Sequence, residues 1–385
     1  MAKKIKKTGD VGHDITDLIL VMLEQEIDEI YTQAEKEVAE KLNDYFKRYA
    51  IKDKIKLKAL ADGKITQQEY NTWKYGQLVV GSRWEALRNT LAYELTHANS
   101  IAKEIAYNKM PVIYALNFNY GVFQVEKASG IDTLFTLYNK DAVKVLFNSE
   151  DKLYHKAGIK LSRKIAVNED LAWNKRQIQS IMTQSILQGE SIPNIAKRLR
   201  ENASNPFDAS DIKDADKKTA EQVAREVAEK NRKASIRNAR TMTTYVENKG
   251  RENAYKRGEE IGLTGKKIWM SVMDGRTRHE HRILNMQRVG IDDYFEVNGD
   301  KIREPADPEA KGYLIYNCRC RLGYEYDGFE RKKYRSESYE NQTVEYKENG
   351  ELVTMTYQEW LNAKPKSQRI TYQEDVGNAI KRAYI

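Results

Sequence analysis

From Leu20 to Tyr49 apolar side chains recur at spacings of three and four: Leu20, Leu23, Ile27, Ile30, Ala34, Val38, Leu42, Tyr45 and Tyr49. Residues three and four apart share one face of an α-helix. The stripe therefore predicts one long helix over 14–50 that buries that face against partner helices. Asp14 is its expected N-cap.

Punctuation along the chain organises the rest. Leu60 to Glu69 imitates the middle of a calcium-binding loop, with Gly63, Ile65 and Glu69 at loop positions 6, 8 and 12. Positions 1 and 3 would then be Lys58 and Leu60, which cannot ligate calcium. The segment reads instead as a turn at Asp62-Gly63 before a helix capped by Thr66. Residues 66–109 continue as one or two helices, with Trp73, Trp84, Leu87, Leu91 and Leu95 as core candidates, and Pro111 is expected to end them. Residues 112–150 are rich in Tyr, Phe and Val and predict short strands or an irregular arm. Helical patterning returns near 160. Gly189 reads as a helix end and Ser191 with Pro193 as the next start. The polar stretch 201–215, with Pro206, predicts a linker before a helix over about 216–258. Residues 262–330 are rich in Gly and Pro and predict a compact α+β module. Beyond it, Asn349-Gly350 between Thr343–Lys347 and Glu351–Thr354 predicts a hairpin, and a short helix is expected around Gln358 to Leu361. The fold class is therefore mainly α: elongated helical N-terminal and central regions with a small α+β module near the C-terminus. The expected segments are 1–160, 161–261, 262–330 and 331–385.

Composition narrows the setting. Of 385 residues, 40% are hydrophobic and 32% charged, and the net charge is +8. A basic excess favours polyanions or acidic protein faces, but this one is mild for the length. No apolar stretch follows the lysines at 3, 4, 6 and 7, so no signal peptide is expected. The longest apolar run, Leu18 to Leu23, is far short of the roughly 20 residues a bilayer requires. A soluble protein made in a cytoplasm is the expectation. Two cysteines, Cys318 and Cys320, cannot build a disulfide framework and lie too close in sequence to bond well to each other.

The chemistry concentrates between 269 and 322. Trp269 is followed by Asp274-Gly275-Arg276-Thr277-Arg278, then His279 and His281, and the stretch closes with Asn317-Cys318-Arg319-Cys320-Arg321-Leu322. His279, His281, Cys318 and Cys320 are four donors of the kind tetrahedral zinc accepts, although H-x-H and C-x-C are tighter than usual ligand spacings. The competing expectation is that the cysteines pack as small buried residues while His281 bonds a loop carbonyl. Asp274, Arg276 and Arg278 predict an ion-pair cluster in which an arginine fork braces the 300–320 loop. His281 is a candidate base, but no activated Ser, Cys or Lys accompanies it, so no catalytic residue is assigned. Lys230, Lys233, Arg237 and Arg240 share one helical face, which reads as a solvated surface or as a surface for DNA phosphates or an acidic partner.

In this stretch the chain resembles the phage head-morphogenesis family of Mu F-like minor head proteins. That family typically shows W-x(4)-D-x-R-T-R/C-x-x-H/C, a loop with proline and then C-R-C. Upstream it carries an A-R-T-E-T-like element, here Ala239-Arg240-Thr241-Met242-Thr243. Further upstream lies a second element, here Gln188 through Pro193 with Ile195, Ala196, Arg198 and Leu199. The resemblance spans roughly 175–322. Met242 stands where Glu is common, Asn285-Met286-Gln287 replaces Asp-Gly-Gln, and Arg278 sits where some members have cysteine. His279 has no counterpart in the pattern.

The resemblance implies a virion protein, not an enzyme. It would be present in few copies, in the head interior or near the portal, and assembled in a host cytoplasm. The implied partners are portal protein and major capsid or scaffold protein, with phage DNA a further candidate and no membrane. One alternative is a nucleic-acid-binding protein acting on phage DNA. Another is an enzyme, since some relatives carry fused toxin domains such as ADP-ribosyltransferases. The roughly 60 residues after Leu322 are short for an added catalytic domain.

Overall fold

The computed structural model describes residues 8–77, 81–130, 132–133, 135–138, 143, 169–179, 209–327, 343–348 and 351–364. The chain is mainly α. Its long helices are α1 (Val11–Ala61), α3 (Ser82–Ser129) and α4 (Ala209–Glu260), with a short α2 (Gln67–Tyr75) between the first two. They feed two compact units: one from 1–25, 104–160 and 236–385, the other from 26–103 and 161–235.

In the second unit the apolar stripe of α1 is the buried face: Ile27, Ala34, Val38 and Leu42 are nearly inaccessible, joined by Tyr31 and Phe46. Trp84, Leu91 and Leu95 of α3 are buried too, whereas Trp73 and Leu87 are only half-buried. Trp84 stands edge-on to Tyr45, and its Nε1 donates to Gln179 Oε1 at 3.1 Å. Thr66 caps α2 as expected, with a reciprocal capping box to Glu69, and Gly63 takes φ +69 in the preceding turn.

The structure departs from the sequence reading at three points. The helix α1 starts at Val11, so its N-cap is Asp10: His13 N donates to Asp10 Oδ1 at 2.9 Å. Asp14 already lies within the helix, and its carboxylate receives the Thr8 amide at 3.0 Å. Pro111 does not end α3, and 112–129 is helix rather than strand or arm. The reason is burial on all sides, since every residue from Met110 to Phe123 is buried. A helix apolar all round is a core helix. Proline costs a helix about 3 kcal/mol, and burying side chains such as Ile113, Leu116, Val122 and Phe123 returns about 1.5–3 kcal/mol each. Third, α4 begins at Ala209, so the linker expected over 201–215 is helical from 209 onward. Polar composition alone did not separate a helix from a loop. The Gln188–Pro193 element and most of the expected arm beyond 130 lie outside the described residues.

Two glycines set how closely α3 and α4 approach. A Cβ on Gly250 would stand 2.7 Å from Tyr114 O, and one on Gly121 would stand 2.6 Å from Ala254 Cβ. Neither position has room for a side chain.

After α4 comes the α+β module. Antiparallel strands β1 (Gly265–Met270), β2 (Arg288–Val289) and β5 (Arg321–Tyr326) form a sheet in the order β2-β1-β5, with Trp269 opposite Leu322. A second pair, β3 (Phe295–Val297) and β4 (Asp300–Ile302), turns at Asn298 and Gly299, whose φ values of 55 and 79 suit a tight hairpin. Short helices α5 (His279–Leu284) and α6 (Gly312–Ile315) complete it. The C-terminal hairpin pairs β6 (Thr343–Glu348) with β7 (Glu351–Thr356), and α7 (Tyr357–Ala363) follows. The side chain of Trp360 is fully buried; its Nε1 donates to Glu126, and its ring meets Phe123 edge-on.

Candidate functional site

His281, Cys318 and Cys320 converge. The histidine is on α5 and the cysteines are on the approach to β5, yet the three ligand atoms all lie within 4.8 Å of one another. His281 Nδ1 is 3.2 Å from Cys320 Sγ and 3.7 Å from Cys318 Sγ. Its other nitrogen, Nε2, lies 2.9 Å from Leu314 O. A carbonyl accepts only, so Nε2 carries the proton and the Nδ1 lone pair faces the sulfurs. All three side chains are buried. Burial opposes ionisation at Cys320, but its surroundings, the hydrogen bond from Cys318 foremost, hold the thiol well below the usual range. Burial pushes Cys318 well up, as does the neighbouring Cys320.

Trp269 organises this cluster. It is fully buried and stands edge-on to His281 at 5.6 Å and to Phe295 at 5.3 Å. Its Nε1 donates to Ser271 Oγ at 3.1 Å, and that hydroxyl donates to His281 O at 2.5 Å. His279 is on the exposed side of α5 and is not among the converging atoms, so the structure does not support it as a fourth ligand.

The arginine fork exists, but it comes from the other direction. Arg319 grips Asp274 through two hydrogen bonds, 2.8 and 2.7 Å, which hold the carboxyl well below its ordinary range. Arg276 is exposed and its guanidinium reaches only 3.8 Å from Asp274. Arg278 instead lies 3.3 Å from His281 Nε2. Thr277 Oγ1 bonds Val272 O and Asp274, and Arg282 Nη2 donates to Asp274 O at 2.5 Å. The 274–282 turn is thus tied to the segment that carries the cysteines and leads into β5.

Helix α4 grips the same strand by its backbone. Thr244 Oγ1 donates to Cys318 O at 2.6 Å, and Leu322 N donates to Asn248 Oδ1 at 2.6 Å. One turn on, Arg251 makes paired bonds of 2.6 and 2.7 Å to Asp10 and two more, 3.1 and 3.0 Å, to Asn117 Oδ1. Glu247 Oε1 is 3.4 Å from Arg251 and 2.8 Å from His13 Nδ1. The sequence reading missed this network. Its only local signal is Thr244, Asn248 and Arg251 at spacings of four and three, a polar line on a helix face.

His13 predicts a pH dependence. Burial alone would lower its pKa, but Glu247 and Asp17 more than reverse that and raise it from 6.5 to about 9. The folded state therefore favours the protonated ring. Its contribution is fully present below pH 6.5 and is lost as pH rises through about 9. The slope between these values is about 1.4 kcal/mol per pH unit, roughly 3 kcal/mol in all. Denaturant unfolding across that range should show wild-type stability falling while a His13→Asn variant stays flatter. Parallel curves for the two proteins contradict the assignment.

Two of the four basic-stripe cations face carboxylates. Lys233 pairs with Glu229 at 2.6 Å, and Lys230 bonds Gln177 at 3.1 Å. Arg240 pairs with Glu24 at 2.6 Å, and Arg237 lies 4.9 Å over the Tyr316 ring.

Against protein-family models, residues 176–323 match the family described as Phage Mu protein F like protein. Over this segment the chain is similar to the Mu F-like family. The match ends within β5, so it contains Trp269, the Asp274–Arg319 clamp and the His281–Cys318–Cys320 cluster of the Mu F-like segment. Among curated proteins, NAD(+)--arginine ADP-ribosyltransferase EFV of Enterococcus faecalis is 23% identical over 203 residues, 52% of this chain. This chain spans about a third, 35%, of that relative's length. No solved structure matches the chain. Among the described residues, no helix is long and apolar enough to cross a membrane.

Proposed function

We propose that this chain is a minor head protein of a phage, working in head assembly next to the portal. The observation that carries the reading is the Mu F-like segment, in which the signature side chains are turned on one another. Asp274 is bonded to Arg319, His281 to the cysteines and Leu314, and Trp269 to Ser271. Groups satisfied in this way hold a shape, whereas a catalytic site presents groups to a substrate. In assembling heads the chain is expected to copurify with portal, capsid or scaffold protein, and its deletion to leave heads that assemble or infect poorly. Failure to copurify with any of the three would sink the reading.

The similarity to an ADP-ribosyltransferase supports a second reading, an effector enzyme. We favour a shared head-type module over a shared active site, because the chain covers so little of that relative. No ADP-ribosyl transfer from NAD to arginine is expected of the purified chain, and clear transfer decides for the enzyme. The stripe from Lys230 to Arg240 adds little to a DNA-binding reading, since two of its four cations already face carboxylates.

A further inference from the structure

We propose that His281, Cys318 and Cys320 bind one zinc ion through His281 Nδ1 and the two thiolates, with a fourth position on the side of Ser271. The spacing is that of a coordination shell. Zn–S bonds of about 2.3 Å and Zn–N bonds of about 2.0–2.1 Å, set at the tetrahedral angle, put N and S about 3.5 Å apart. The observed Nδ1–Sγ separations of 3.2 and 3.7 Å bracket that edge.

The surroundings are those of a metal site. A zinc-ligating histidine usually donates its second ring nitrogen to a carbonyl or carboxylate, which fixes the ring and aims the other lone pair. Leu314 O does this for His281 at 2.9 Å. Trp269 holds the ring edge-on, and the Cys318 carbonyl is anchored by Thr244. Ser271 Oγ lies 3.5 Å from Cys320 Sγ.

Charge agrees with burial. Two thiolates and a divalent cation sum to zero, so the loaded site can be buried at 2–3% exposure without an uncompensated charge. A mixed sulfur and nitrogen donor set favours zinc over magnesium or calcium, which take oxygen. The ion would join His281 to Cys318 across a sequence separation of 37, a stretch that contains Pro305 and Pro308 and only short elements. Closing such a loop removes freedom from the unfolded chain. The inference does not depend on the head-protein reading, and it holds equally for an effector.

The test uses the full chain, purified reduced and without a histidine tag. After chelator treatment, cobalt is titrated in as a spectroscopic substitute. The expected result is a thiolate-to-cobalt charge-transfer band with intense visible tetrahedral bands, saturating at one cobalt per chain and erased by zinc. Chelator should lower the melting temperature of the zinc-loaded chain. Cys318→Ser and His281→Ala should lose the bands, while His279→Ala should keep them. If the ligand variants fail to fold, the wild-type titration decides alone. A folded, reduced wild-type chain with no cobalt bands and no competition against a zinc indicator overturns the proposal. So does a Cys318–Cys320 disulfide in freshly purified protein, or loss of the bands in His279→Ala.

Discussion

Replacing Arg251 with methionine is expected to destabilise the unit that contains it by about 3–5 kcal/mol, the usual cost of removing one partner from a buried ion pair. Arg251 is fully buried, and its guanidinium holds Asp10 with two hydrogen bonds, Asn117 with two more, and Glu247 at 3.4 Å. Arg251 and Arg321 hold the Asp10 carboxyl well below its ordinary range despite burial, so it is charged at neutral pH. Removing the guanidinium leaves that charge facing Arg321, whose Nε is 3.3 Å away, and the ring of His13. Asp10→Asn should cost less, since the amide keeps an oxygen for the His13 amide that caps α1. Combining the two substitutions should recover part of the loss, because neighbouring groups are not additive. Denaturant midpoints of the four proteins measure this. An Arg251→Met protein within about 1 kcal/mol of wild type contradicts it.

Trp269→Ala is expected to cost a similar ~3–5 kcal/mol, the range for deleting a fully buried large aromatic. The ring fills the space between His281 and Phe295, and its Nε1 fixes Ser271, which in turn bonds His281 O. The substitution therefore opens a cavity and frees the α5 backbone together. Trp269→Phe keeps much of the volume and loses only the Nε1 donor, so its cost should be less than half as large. Thermal and denaturant unfolding measure the cost, and amide exchange in 279–284 reports the loosening of α5. Equal effects of the Phe and Ala variants contradict a packing role.

Much of this was legible where the physics is local. Leu23, Ile27, Ala34, Val38 and Leu42 of the α1 stripe are buried as its period requires, with Leu20, Ile30, Tyr45 and Tyr49 half-buried, and the Thr66 cap and the pairing of 343–348 with 351–356 follow from short signals read correctly. Reasoning failed where context outweighs local preference. Pro111 and the aromatic, β-branched residues after it look like the end of a helix and the start of strands, yet burial on every side keeps α3 helical. The candidate site was half legible. Trp269, Asp274, His281 and the two cysteines stand out by residue type and spacing, and they do meet. That the fork on Asp274 comes from Arg319 rather than Arg276 or Arg278 depends on chain reversal at the sheet, which spacing does not encode. The Asp10–Arg251 pair spans 241 positions, and nothing near either residue announces the other.

The most direct test of the head-protein reading is quantitative mass spectrometry of gradient-purified heads from infected or induced cells. The expected result is this chain in a small, fixed number of copies per particle, enriched in the fraction that carries the portal. Heads that are complete and infectious without any trace of the chain contradict it.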